Sequence, residues 1–245
     1  MRIRITFSIR RSRLLPWRYP ELLIGLFYRW VYAGNAVFGQ QLHDRGWQAG
    51  GHRYKLYTFS WLQGAAVQPE KDGLRFTAPL YWQVSSPLPQ LMETLLQGIW
   101  KEPDVALGQL LLRVEQVEVL PEPTPDRVPM PLRTLSPIVV STSEADEATG
   151  KLRKVFLSPE DPHFSRVIRD NLLRKAHLLG ITLSEAEVYL LPVQVRSRLV
   201  TVHGVQVRGY EGFFTYEGPM SLFRVGYQAG FGERNGQGFG MVEVK

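Results

Sequence analysis

Six glycines fall within the fifteen residues from Gly226 to Gly240, and aromatics rather than serines stand between them. The run reads Gly226-Tyr227-Gln228-Ala229-Gly230-Phe231-Gly232-Glu233-Arg234-Asn235-Gly236-Gln237-Gly238-Phe239-Gly240-Met241-Val242. This is not the composition of a loose linker. Glycine reaches φ > 0 and lets another chain or a ligand approach the backbone closely. Successive positions of that kind can form a nest of N–H groups suited to phosphate. No Lys-Ser or Lys-Thr follows the glycines, so a nucleotide-binding P-loop is excluded. The run also stands at the wrong end of the chain for a dinucleotide fingerprint, which opens a first βαβ unit. The plainer reading is a glycine-rich turn ahead of a last strand, Phe239 to Val244.

The 245 residues are 44% hydrophobic, enough for one large domain or two small ones with a sizeable core. The formal net charge is +6, which favours an anionic partner. The first eighteen residues carry Arg2, Arg4, Arg10, Arg11, Arg13 and Arg18 and no acid. Arginine suits bidentate phosphate contacts and stacking; a surface laced with ion pairs is the plainer alternative. There is no cysteine, which removes disulfides, thiolate metal sites and cysteine nucleophiles and fits a cytoplasmic protein. Arg2 and Arg4 interrupt any apolar start, so no signal peptide is expected. The apolar stretch Leu22 to Val31 is too short to span a bilayer, and no membrane partner is expected. His52, His163, His177 and His203 show no H-E-x-x-H or comparable spacing. Neither a metal site nor a cofactor is expected.

Ile3, Ile5, Phe7 and Ile9 alternate with Arg2, Arg4, Thr6 and Ser8, a strand with one buried and one basic face. Leu22, Leu23, Leu26, Phe27 and Trp30 recur at helical spacing after Pro20. Strands are predicted at Tyr54 to Trp61, Leu74 to Val84 and Leu110 to Leu120, with a helix over Pro89 to Trp100. The order is β-α-β-β-α-β over residues 1–120, the ferredoxin-like pattern. Residues 121–133, rich in proline, read as a linker. A second unit over 134–245 opens with a strand at Leu135 to Ser141 and an acidic loop from Ser143 to Gly150. Ser158 and Pro159 are placed to start a helix that Gly180 stops. Phe164, Val167, Ile168, Leu172 and Leu179 form its buried stripe, with Arg166, Arg169, Arg174 and Lys175 on the outer side. Glu187 to Val195 and Val200 to Tyr216 are strand-rich, with a hairpin near Gly212, and Pro219 to Phe223 is a short helix. The fold class is therefore α+β, two tandem ferredoxin-like (RRM-like) βαββαβ domains ending in a glycine-rich loop. Two such sheets enclose a cleft that suits single-stranded RNA.

Three segments point to one family. Leu42-His43-Asp44 is followed by Lys55-Leu56-Tyr57-Thr58-Phe59-Ser60. Thr134-Leu135-Ser136-Pro137-Ile138-Val139-Val140 opens the second half, and Gly226 to Val242 closes the chain. Together they resemble the CRISPR-associated repeat-cleaving endoribonucleases of the RAMP superfamily, over essentially the whole length. The resemblance implies a metal-independent endoribonuclease that cuts precursor transcripts within each repeat and releases guide RNAs. The RNA's own 2′-hydroxyl attacks, leaving a 2′,3′-cyclic phosphate and a 5′-hydroxyl. It implies a catalytic set of a helix tyrosine, a histidine and a lysine, matched here by Tyr28, His43 and Lys55. The longer turn from Gly46 to Arg53 leaves Lys55, Arg53 and His52 as alternative sources of positive charge.

The chemistry fits these side chains. An imidazole ordinarily titrates near pH 6.5 and can take or return the proton of a reacting hydroxyl. An ammonium can offset the charge of a phosphorane. A phenol, with an ordinary pKa near 10, is a poor base but can orient its neighbours. Taken singly, His43 reads as a surface loop residue, Tyr28 as helix packing and Lys55 as a solvated strand end. Arg2, Arg4, Arg10, Arg11 and Arg13 form one candidate RNA patch. Arg196, Arg198 and Arg208 form another, and Lys151, Arg153 and Lys154 a third. Gly230, Gly232, Arg234, Gly236 and Gly238 are the loop's candidate RNA contacts. The expected partners are CRISPR repeat RNA, subunits of a CRISPR effector complex and a second copy of the chain. Two other readings stand beside this one: a non-catalytic RNA-binding subunit of a CRISPR ribonucleoprotein, and an unrelated ferredoxin-like protein with an acidic protein partner.

Overall fold

The alternation at the amino end builds the first sheet in the structure, a computed structural model that describes residues 1–123, 129–145, 150–183 and 186–245. Ile3, Ile5 and Phe7 of strand β1 (Arg2–Arg11) are buried. The first half continues through β2 (Leu15–Pro16), α1 (Pro20–Gly34), α2 (Ala36–Asp44), β3 (Trp47–Ala49) and β4 (His52–Tyr54). Then follow β5 (Thr58–Phe59), β6 (Gln63–Glu70), β7 (Gly73–Ser85), α3 (Pro89–Lys101), β8 (Asp104–Leu107) and β9 (Leu110–Leu120). β1 lies between β7 and β9, antiparallel to both, while β6 pairs with β7 and β8 with β9. Pro20 opens α1, where its missing N–H costs nothing. Leu23, Phe27 and Trp30 turn inward, and α1 packs on α3. This is the ferredoxin-like order with α2 and the β3–β4 hairpin added.

The strand predicted at Tyr54 to Trp61 is much shorter. Only Thr58–Phe59 pairs with β7, because Leu56 at φ +53 leaves the extended region. The main outer partner of β7 is β6, whose exposed Ala, Gln and Pro residues carry no alternation to read.

The second half comprises β10 (Met130–Thr134), β11 (Ser141–Ala145), β12 (Leu152–Phe156), α4 (Phe164–Leu178), β13 (Tyr189–Val202), β14 (Val205–Glu217), α5 (Met220–Ala229) and β15 (Val242–Val244). Its sheet runs β13-β14-β10-β15, a second ferredoxin-like arrangement with the β11–β12 hairpin set before α4. The opening strand is β10, which lies inside the stretch expected as linker except for Thr134; residues 124–128 of that stretch lie outside the described residues. Leu135 to Val140 passes beside the sheet instead, held by an Ile138–Tyr210 bridge and by the Met241 oxygen. The acidic loop begins within β11, and its residues 146–149 lie outside the described residues. α4 begins at Phe164 rather than near Ser158, because a turn closed by Asp161 N–H on the Ser158 oxygen comes first. Gly180 ends it as expected, at φ +74, with the Gly180 and Ile181 N–H groups on the His177 and Ala176 oxygens. The hairpin turns at His203-Gly204, not at Gly212. Gly212 sits inside β14 at φ +135, where the register of β13 shifts between Pro192 and Gln194. The helix at Met220–Ala229 runs longer than predicted.

The two halves share a core. Val202 and Val207 of the β13–β14 hairpin, and Phe239 after the glycine run, are buried among the first-half residues Phe27, Phe59 and Trp82. Arg2, expected on a basic surface, is 1% exposed. Its guanidinium lies 3.5 Å from the centroid of the Tyr227 ring and donates to the Val242 and Tyr227 oxygens at 2.7 and 2.6 Å. It joins the halves rather than facing a ligand. Among the described residues no helix is long and apolar enough to cross a membrane.

Candidate active site

His43 stands in the last turn of α2, not on a loop. Asn35 starts this helix, its side chain accepting from the Phe38 N–H at 3.0 Å. His43 Nδ1 lies 2.9 Å from Asp44 Oδ1, and Gln40 bonds the same carboxylate. These bonds, His43 first, hold the Asp44 carboxyl below its ordinary pKa. A carboxylate at Nδ1 selects that nitrogen for the proton and leaves Nε2 as the acceptor. Tyr28 of α1 meets the imidazole edge-on, with ring centroids 5.0 Å apart. Burial pushes the Tyr28 phenol up, and that of Tyr57 well up, so both stay neutral donors.

Lys55 follows the β3–β4 hairpin. Its Nζ donates to the Leu42 oxygen and, at 2.5 Å, to the His43 oxygen. These are carbonyls left open by the end of α2, where a cation is favourable. Burial, and then Arg53, lower the Lys55 pKa. Two of the three ammonium protons are engaged, which leaves one for a ligand. Arg53 donates to the Asp44 oxygen at 2.8 Å. His52 pairs with Ala49 across the hairpin and is exposed. The insertion therefore brings Lys55 and Arg53 together on one helix end.

These groups line a cleft of about 730 Å³. Its facing wall is the glycine-rich loop, from Gly232 to Gln237. Arg53, Lys55, Lys154 and Arg234 line it with Glu21 and Glu233, so the cleft is cationic. His203 reaches it from the hairpin tip, its backbone N–H donating to Glu21 Oε1 at 2.6 Å.

The loop is shaped by packing on the first half. Tyr57 Oη donates to the Gly236 oxygen at 3.1 Å, Thr58 Oγ1 to the Phe239 oxygen at 3.0 Å and Trp61 Nε1 to the Gly238 oxygen at 3.0 Å. Gly238 takes φ +80, and a Cβ there would stand 2.3 Å from the Phe59 ring. Of the loop glycines expected to bind RNA, Gly232 and Gly236 line the cleft. Gly230 and Gly238 are packed inside, a correction to that expectation. Arg234 lines the cleft with Nη1 on Gln237 Oε1 at 3.0 Å.

Lys175 corrects the predicted outer face of α4. It is 1% exposed, and burial lowers its pKa to about 7. Its position was readable: three residues after Leu172 and four before Leu179, it falls on the apolar stripe. Asp44, Glu233 and Asn235 were also missed, and no spacing marks them.

The basic patches divide by their partners. Arg10, Arg11 and Arg13 are exposed and, among the described residues, make no ion pair. Arg4 pairs with Glu118 at 2.8 Å, and Arg196 and Arg198 share Glu211 at 2.6 and 2.7 Å. Arg208, Lys151 and Arg153 are exposed. Lys154 pairs with Glu233 at 2.7 Å. Among the described residues no three His, Cys, Asp or Glu side chains gather as a metal site would require.

Known proteins share this architecture. The CRISPR-associated endoribonuclease Cas6 1 of Methanocaldococcus jannaschii is 25% identical over 244 residues, covering 99% of this chain and 92% of that protein. The CRISPR-associated endoribonuclease Cas6 of Pyrococcus furiosus is 27% identical over 241 residues, covering 96% and 85%. A solved structure described as CRISPR associated protein Cas6 matches the fold with a TM-score of 0.83 at 24% identity, covering 100% of this chain and 99% of that one. The family described as CRISPR associated protein Cas6, C-terminal, matches residues 120–244, more than half of the chain. The chain belongs to the Cas6 family of CRISPR-associated proteins.

Proposed function

We propose that this protein is a metal-independent endoribonuclease that cleaves CRISPR precursor RNA within its repeats to release crRNAs. The observation that carries the reading is the convergence of His43, Tyr28 and Lys55 on one wall of a cationic cleft, opposite the glycine-rich loop. A scissile phosphate fits between these walls. His43 Nε2, left open by the Nδ1–Asp44 bond, exchanges the proton of the 2′-hydroxyl or of the leaving 5′-oxygen. The third Lys55 proton meets the non-bridging oxygens as charge builds on the phosphorane. Tyr28, neutral, orients the imidazole and the attacking hydroxyl. The products are a 2′,3′-cyclic phosphate and a 5′-hydroxyl. Arg234 and the exposed Arg10, Arg11 and Arg13 hold the RNA backbone. Names of the curated relatives support the endoribonuclease assignment.

The test is single-turnover cleavage of a labelled repeat RNA in EDTA. Wild type is expected to cut, and His43→Ala to cut about 10²–10⁴-fold more slowly while still binding a repeat with a 2′-deoxy group at the cut site. Unchanged cleavage by His43→Ala would remove His43 from the mechanism. Tight binding with no cleavage by wild type would make the chain a crRNA-holding subunit instead.

A further inference from the structure

Lys175 carries its ammonium from α4 into the interior, where a charge is costly unless its protons are met. All three are met. Nζ donates to the Gly230 oxygen at 2.7 Å, the Gly232 oxygen at 3.0 Å and Asn235 Oδ1 at 2.7 Å. These acceptors are neutral and belong to one segment. Only an ammonium can offer three protons to three oxygens that converge on a single atom.

Asn235 extends the clamp. Its Nδ2 donates to the Phe231 oxygen at 3.1 Å and the Phe239 oxygen at 3.0 Å. Lys175 and Asn235 together draw in carbonyls from Gly230 to Phe239 and close the loop on itself. The far side of the loop meets the proposed catalytic wall. The Gly236 oxygen accepts from Tyr57 Oη, and the α-carbon of Gly236 is so close that a Cβ there would stand 3.2 and 3.1 Å from Cβ and Cγ of Lys55. Any shift of the loop is therefore felt by the stem of Lys55.

We propose that Lys175 is a positioning residue of the cleavage site: from the second half of the chain it locks the glycine-rich loop, and the locked loop sets Lys55 and the Tyr57 side of the site. The proposal rests on the nuclease reading of the cleft. Lys175 acts through the loop and touches no reacting atom.

Lys175→Met keeps the stem and removes the protons; Lys175→Gln keeps two donors. Both are compared with wild type for thermal unfolding, amide hydrogen exchange over residues 230–240, single-turnover cleavage, and binding of the 2′-deoxy repeat. Lys175→Met is expected to fold and to exchange at least about tenfold faster over that loop alone. It is expected to cut about 10²-fold more slowly, as a small misplacement of a catalytic group does. Its binding stays within about threefold of wild type, which separates chemistry from binding, and Lys175→Gln recovers part of the rate. A wild-type rate in folded Lys175→Met overturns the proposal. So does a parallel loss of binding and cleavage, or failure of both variants to fold, either of which leaves Lys175 no separate part in catalysis. If wild type cuts no repeat, the nuclease reading falls by itself. The clamp is then judged by exchange: faster loop exchange sustains it, and unchanged exchange refutes it.

Discussion

Arg2 and Lys175 both add to the net charge of +6, yet neither faces solvent. Burial lowers the Arg2 pKa to about 10, against the opposing pull of Tyr227, Glu243 and Glu122. The guanidinium remains charged at neutral pH, and its bonds to the Val242 and Tyr227 oxygens are charge-assisted. Bonds to charged groups are worth about 1.5–3 kcal/mol each. Arg2→Met is thus expected to lower unfolding free energy in urea by about 3 kcal/mol, with little change in repeat-RNA affinity. A weakened affinity without lost stability would return Arg2 to the RNA surface. Sequence could not separate this arginine from Arg4, because both lie on the polar face of the same alternation. Lys175 differs, since its helical spacing already places it inward.

Among elements, those that bury one face were legible and the others were not. α1, α3, β1, β7 and β9 carry regular apolar periods and were found close to their observed bounds. α2 is short and half polar, with Gln40 and Gln41 in its centre, so the helix that carries His43 left little period to read. The β13–β14 turn was misplaced because valines continue on both sides of it, through Val200, Val202, Val205 and Val207. Three of these serve the core of the other half, which no local pattern announces. The proposed catalytic trio was named through family likeness and not through spacing; the Asp44 contact and the lysine clamp needed coordinates. The loop offers a test at this scale. Gly238→Ala meets both an unfavourable φ and the Phe59 ring, whereas Gly204→Ala at φ +76 meets open space. Strain alone costs about 1–3 kcal/mol. Gly238→Ala should lower the melting temperature clearly more than Gly204→Ala and slow cleavage as well. Equal melting temperatures would mean that the loop does not pack as described.

At the scale of the molecule, RNA affinity should follow unpaired surface charge rather than total arginine count. Replacing Arg10, Arg11 and Arg13 by alanine should reduce the slope of log affinity against log salt by about 0.7 for each phosphate of a single strand that is no longer neutralised. Replacing Arg196 and Arg198, which share Glu211, should change it less. Slopes measured by filter binding across a salt series check both. The same molecule also ties its halves together late in the chain. Phe239 fills the first-half core beside Trp61 and Phe59. A nascent polypeptide leaving the ribosome cannot seal its early-made portion until residue 239 emerges. A polypeptide truncated upstream of that phenylalanine therefore keeps an unsealed interior, open to proteases and to other unfinished copies.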